Sequence, residues 1–297
     1  MGKPEDSKSQ VAVDDSLAPP PYSEVAQESH PSSAVQKGDT PNVLSDAVLS
    51  PYLPFPSILD AHYQWKVSTI FHLGSTINKR LFAVSVHTGF GGKGPGKPGV
   101  ILHNGPSDKD TLLAAAGDEN GNLSSLNTII TLARPSGDIS DESCTEIMHA
   151  ATSFGTVTFR FSAETRQKQG MRREVFEWRK SKGDEDRNLI DPPWKCGFKL
   201  VRVTDETPQG STSEGPEIIA VFAWNSNWSV MNPFKIEFRG SAQAGELGEK
   251  FALMVIITGL RLWSLKHQGR TSETTIAARE AELAELYPEF HTRITGR

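Results

Sequence analysis

Two strings in this chain have the glycine spacing of phosphate-binding loops. Gly89, Gly91 and Gly94 spell G-x-G-x-x-G after an apolar run, and residues 91–97 spell G-x-x-x-x-G-K, ending on Lys97. Either motif works only if its glycines open a helix whose N-terminal N–H groups face the phosphate. Here Pro98 stands where a magnesium-binding Ser or Thr would be, and Val100-Ile101-Leu102 beyond it reads as a strand. The segment is therefore expected to be a hairpin loop. Cys144, His149 and Cys196 lack zinc-ligand spacing, and no C-x-x-C occurs. Asp138, Asp141, Glu142 and Glu146 form an acidic stretch without the glycine and ligand rhythm of a calcium loop. No G-x-S-x-G is present, and the eight histidines are scattered. These patterns give no catalytic residue, no metal site and no cofactor.

Charge offers a different chemistry. Residues 160–182 hold Arg160, Arg166, Lys168, Arg172, Arg173, Arg179, Lys180 and Lys182 against Glu164, Glu174 and Glu177, a net of +5. On a hairpin these groups are expected to gather at one end of the fold, with Arg172, Arg173, Arg179 and Lys180 as candidate lipid-binding residues. Each basic residue near an anionic leaflet contributes about 1 kcal/mol, so a handful gives weak, salt-sensitive binding. An ordinary solvated hairpin is the competing reading. Nucleic acid is not expected, because few aromatics interleave with the charges.

A third signal is Pro19-Pro20-Pro21-Tyr22, a P-P-x-Y string. Polyproline II is preformed and costs little to order, and WW domains hold it in an aromatic-lined groove. Pro19, Pro20 and Tyr22 are the candidate contacts for a WW-domain partner, a ubiquitin ligase being one kind. A chance match in a proline-rich tail is the alternative.

These sites need elements to hold them. Residues 1–60 are rich in Pro and Ser and carry nine Asp/Glu against three Lys/Arg, a net of -6, while the remainder of the chain is close to neutral at +1. With no sustained apolar period, that tail is expected to be disordered. From Trp65 the period becomes two. Trp65, Val67, Thr69, Phe71 and Leu73 begin a series of short alternating runs that ends on Phe234, Ile236 and Phe238. Ten or eleven such runs are legible, Glu146 to Ala151 being an additional candidate, and turn residues separate them. Alternation of this kind means half-buried antiparallel strands.

Residues 251–265 then change character: nearly all are apolar, and at 100° per residue they point in every direction. Such a helix must be buried on every side. A membrane span needs about 20 apolar residues, and Arg261 interrupts this run. The expected fold is therefore mainly β, a closed antiparallel barrel of about 11–12 strands around a buried hydrophobic C-terminal helix. Gly259 would allow close approach to the wall, and Arg261 is expected to reach out of the barrel mouth. Residues 272–287 read as a second, amphipathic helix with Ile276, Leu283, Leu286 and Tyr287 on one face. The partition is a tail at 1–60, a barrel at 61–268, and a C-terminal helix with its tail at 269–297. Two cysteines and no apolar stretch after Met1 predict a cytoplasmic protein without a secretory signal.

The strand Phe176-Glu177-Trp178-Arg179, the strand from Trp194 to Arg202 and the helix start GELGEKFALM at residues 245–254 together resemble the tubby C-terminal-like superfamily. That superfamily takes in tubby, phospholipid scramblases and LURP-one-related proteins, and the likeness is to a fungal branch. The resemblance implies a barrel around a hydrophobic helix, often phosphoinositide or membrane binding, and no agreed enzymatic activity. Scramblases carry an acidic calcium segment before that helix, whereas residues 238–246 here supply too few oxygen ligands. Calcium-triggered scrambling is not expected. The leading reading is a non-enzymatic adaptor at the cytosolic face of a membrane. The alternative is a phospholipid-binding or scramblase-like protein.

Overall fold

The computed structural model describes residues 55–63, 69–87, 99–123, 125–133, 144–153, 155–167, 170–181, 197–203, 216–224 and 232–286. The first six strands are β1 (Ile58–Tyr63), β2 (Ile70–Thr76), β3 (Lys79–His87), β4 (Gly99–His103), β5 (Leu112–Asp118) and β6 (Asn127–Leu132). The next six are β7 (Cys144–Ser153), β8 (Thr156–Gln167), β9 (Gly170–Lys180), β10 (Gly197–Val203), β11 (Ile218–Trp224) and β12 (Phe234–Phe238). Each pairs antiparallel with its neighbours in sequence, and β1 pairs with β12 through Leu59 and Ile236 to close the barrel. Three helices follow: α1 (Gly240–Gln243), α2 (Glu249–His267) and α3 (Glu273–Leu286).

The period-two pattern sets which side chains turn inward. Along β8, Val157, Phe159, Phe161, Ala163 and Thr165 are buried, while Arg160 and Glu164 between them are exposed. What they turn toward is α2. Its 19 residues span about 28 Å at 1.5 Å per residue, enough to run the length of the barrel. Every residue from Leu253 to Leu265 is buried. Phe251 meets Phe176 of β9 with ring centroids 4.5 Å apart, and Trp263 packs on Phe71 of β2 and Phe234 of β12 at 5.0 and 5.7 Å. Closure around a helix also removes the sheet edges that would otherwise invite aggregation.

Two details fix the helix against the wall. A Cβ at Gly259 would sit 3.3 Å from Ile236 Cδ1 and 3.5 Å from Phe222 Cδ2, so the missing side chain is what lets α2 lie close to β11 and β12. On another side, the Trp178 indole N–H donates to Thr258 Oγ1 at 3.0 Å, and that hydroxyl donates to the Met254 carbonyl at 2.7 Å. Both polar groups are thereby satisfied in a dry core.

The domain boundary drawn at residue 60 cuts through a strand. β1 begins at Ile58, and Phe55 ahead of it stacks on Phe82 with centroids 5.1 Å apart. The strand carries its own alternation, Leu59 and Ala61 facing inward at full burial. Only six residues long and preceded by prolines, it is a weak signal until the barrel needs it to close.

Candidate functional site

The expectation that Arg261 reaches out of the barrel mouth is wrong. Its side chain is wholly buried, and its guanidinium pairs with Asp118 at the end of β5, itself 0 % exposed. Arg261 Nε also donates to Thr128 Oγ1 on β6 at 3.3 Å, whereas Nη1 finds no partner among the described residues. A buried guanidinium without a carboxylate is among the costliest arrangements in a core, so the side chain turns to the one that the barrel supplies. Burial is the main force on its acidity, and it lowers the pKa to about 10 against the opposing pull of Asp118.

Asp118 takes a second arginine from the other side. Past α2, Gly269 adopts φ +71°, a left-handed conformation that glycine enters without a Cβ clash. Arg270 N–H then donates to the Leu265 carbonyl at 2.9 Å and Gly269 N–H to Lys266 at 3.0 Å, the paired bonds of a Schellman turn. The turn aims Arg270 at the mouth. Its Nη1 reaches Asp118 Oδ2 at 3.0 Å, its Nη2 lies 2.8 Å from Asp118 Oδ1, and Nη2 also donates to the Ser125 carbonyl at 3.1 Å. Two cations thus share one carboxylate.

Beside this triad lies a cavity of about 310 Å³. Phe159, Leu265 and Ile276 give it apolar walls; Thr128, Arg270 and Arg279 give it polar ones. α3 forms one side, held by Glu280, which accepts from Thr152 N–H at 2.9 Å and from the Thr152 hydroxyl. Of the apolar face expected on this helix, Ile276 is buried, but Leu283 and Leu286 are 40 % and 64 % exposed. Tyr287 lies outside the described residues.

The basic residues picked out from the sequence do not gather at one end. β8 and β9 form a tight hairpin in which Thr165 faces Arg172 and Thr158 faces Arg179. Arg172 and Lys180 are therefore eight positions apart along β9, about 26 Å at ~3.3 Å per residue. Arg173 forms a two-pronged pair with Glu146 of β7, one nitrogen at 2.8 Å. Arg179 Nε donates to Glu177 at 2.7 Å, and Arg160 Nε reaches the same carboxylate at 3.2 Å. At the barrel end near the start of α2, Arg202 of β10 clasps Glu174 at 2.6 and 2.7 Å, and Thr165 and Gln167 each donate to Glu174 at 2.8 Å. Strand pairing has matched Arg173 and Arg160 with acids distant in sequence, and Arg179 with one on its own strand. Arg172 remains exposed beside Met171, itself 60 % exposed, in the hairpin tip, and Lys180 is exposed at the opposite end of β9.

One pairing was not visible in the sequence. Ser85 of β3 lies 3.0 Å from His103 Nε2 of β4, and His103 Nδ1 lies 3.1 Å from the Asp110 carbonyl oxygen. A hydroxyl on an oriented imidazole is the geometry of a nucleophile and its base. Here it also ties two strands to the turn beyond them, and each residue is only 8 % exposed. Eighteen residues separate the partners, with no motif to mark them. Pro19, Pro20 and Tyr22, the glycine-rich loop at 89–98 and Cys196 lie outside the described residues. Among the described residues no cluster of three or more potential metal ligands occurs, and no helix is long and apolar enough to cross a membrane. No family model matches the chain, and neither a curated protein nor a solved structure matches it.

Proposed function

We propose that this chain is a non-enzymatic adaptor of the tubby-like kind, in which Pro19, Pro20 and Tyr22 recruit a WW-domain protein such as a ubiquitin ligase. The observation that carries this reading is the Pro19-Pro20-Pro21-Tyr22 string itself, set in an acidic, proline-rich segment. The filled barrel is in keeping with it, because α2 occupies the interior that a ligand-carrying barrel leaves open. The test is a titration of a peptide of residues 14–28 against a panel of WW domains. Tyr22→Ala removes the aromatic anchor, at a cost on the order of 2 kcal/mol, or roughly thirtyfold in affinity. Wild-type and Tyr22→Ala peptides that titrate alike would remove the adaptor reading.

A second reading, peripheral binding to anionic phospholipid at a cytosolic membrane face, draws on the hairpin tip. There an exposed Met171 sits beside an exposed Arg172, an apolar and a cationic group side by side. Sedimentation with anionic liposomes decides it. Changing Arg172, Arg173 and Lys180 to Glu abolishes binding on this reading, and equal binding to neutral liposomes counts against it.

A further inference from the structure

At the mouth of the barrel two guanidiniums are in direct contact with one carboxylate. Arg261 and Arg270 share Asp118, and the three side chains are 0 %, 16 % and 0 % exposed, so a net positive charge is held almost entirely out of water. Other acids are close, but their direct hydrogen bonds go to other groups. Glu119 accepts from Ser125 Oγ and Asn127 Nδ2 at 3.1 and 3.0 Å, Glu280 is held by Thr152, and Glu282 pairs with Arg279 at 2.6 Å. His149 also lies beside this wall, and burial holds its pKa below the usual imidazole value. Arg261 Nη1 is buried without a partner among the described residues. The adjoining cavity has Arg270 on its wall, together with Thr128, whose hydroxyl receives the Arg261 Nε bond. Arg279 at its rim is 39 % exposed.

We infer that this cavity is a binding site for a small amphipathic anion, one acid group on a short apolar body. The acid would meet Arg279 and lie in the field of Arg270, whose Nη hydrogens already go to Asp118, Gln268 and the Ser125 carbonyl, and the body would lie against Phe159, Leu265 and Ile276. A volume of about 310 Å³ is at the lower bound of small-molecule sites, roughly 300 Å³, which suits a compact ligand and excludes a long acyl chain. Charge-assisted bonds to a guanidinium are about twice as strong as neutral ones, and the two arginines on this wall favour an anion over a neutral or cationic ligand. The site is independent of the WW-binding tail, and neither result bears on the other.

The probe is 8-anilinonaphthalene-1-sulfonate, which joins a sulfonate to aromatic rings, titrated into the full chain. The expected result is saturable one-to-one fluorescence, displaced by hexanoate and by hexyl phosphate but not by hexanol or hexylammonium. The relative potency of the two acids distinguishes a carboxylate ligand from a phosphate monoester. Arg279→Gln, at a half-exposed position whose ion pair is with Glu282 on the same helix, weakens probe and hexanoate at least fivefold. Ala150→Leu, which fills the cavity from β7, does the same without touching a charge. Circular dichroism melts confirm that the variants fold; if Ala150→Leu does not, Arg279→Gln and the competition series decide alone. Non-saturating fluorescence, equal displacement by hexanol or hexylammonium, or unchanged binding by folded Arg279→Gln would overturn the assignment.

Discussion

Asp118 is the residue at which the structure can be tested most sharply. Asp118→Asn keeps the shape of the side chain and removes its charge, leaving the buried guanidiniums of Arg261 and Arg270 facing each other. Two charges about 4 Å apart interact by about 4 kcal/mol at an effective dielectric constant of about 20, and Asp118 makes two such contacts. Against this stands the several kcal/mol that a carboxylate loses on leaving water, which the variant recovers. The net expected loss is about 3–5 kcal/mol of folding stability. Arg261→Met should behave differently. It forfeits one contact, but it also removes a buried cation and its repulsion from Arg270, and Asp118 keeps both Arg270 bonds. Its cost should therefore stay below about 1.5 kcal/mol. The double variant should be more stable than Asp118→Asn alone, a coupling of about 0.5–3 kcal/mol. Urea unfolding followed by tryptophan fluorescence measures all three, since Trp263 and Trp178 lie in the core. If Arg261→Met costs as much as Asp118→Asn, or if the double variant is the sum of its parts, Asp118 is not the counter-charge that permits an arginine on the central helix.

Three further outcomes are expected. Ile256→Asp places an unpaired carboxylate at a wholly buried position of α2 and should abolish folding, so a soluble variant with a near-wild-type Tm would remove the central helix from the fold. Thr258→Val takes away the acceptor of the Trp178 N–H while keeping the volume, and should cost about 1–3 kcal/mol, read as a lowered urea midpoint with an unchanged slope. Burial depresses the pKa of His62, His72 and His149, so the folded protein resists protonation that the unfolded chain accepts from its value of about 6.5. Above that value the three are neutral in both states and contribute nothing; as pH falls through it, the unfolded chain binds more protons and stability drops until the folded-state values are reached. Tm should therefore decline between about pH 7 and pH 5, and His72→Gln should flatten that decline.

The architecture was legible because two periods in the sequence constrain it from opposite sides. Runs such as Val157, Phe159 and Phe161 can bury only one face, and the run from Phe251 to Leu265 has no face to leave open. Strands that need covering and a helix that needs wrapping satisfy each other. Gly259 was readable for the same reason, as the place where a helix inside a barrel must approach its wall. β1 was not, because closure is a property of the ring: Ile58–Tyr63 acquires its role by pairing with β12, at the far end of the chain. The charges divide along the same line. A sequence shows that residues 160–182 are basic, but not that Arg173 will meet Glu146 or that Arg202 will meet Glu174, since strand neighbours are set by register and not by distance along the chain. Arg261 is the clearest case. Alone on an apolar helix, its least costly course is to reach for water; only when the barrel brings Asp118 to it across 143 residues does burial become the better solution. The cavity beside them exists for the same tertiary reason, because Gly269 turns the chain and lays α3 across the mouth.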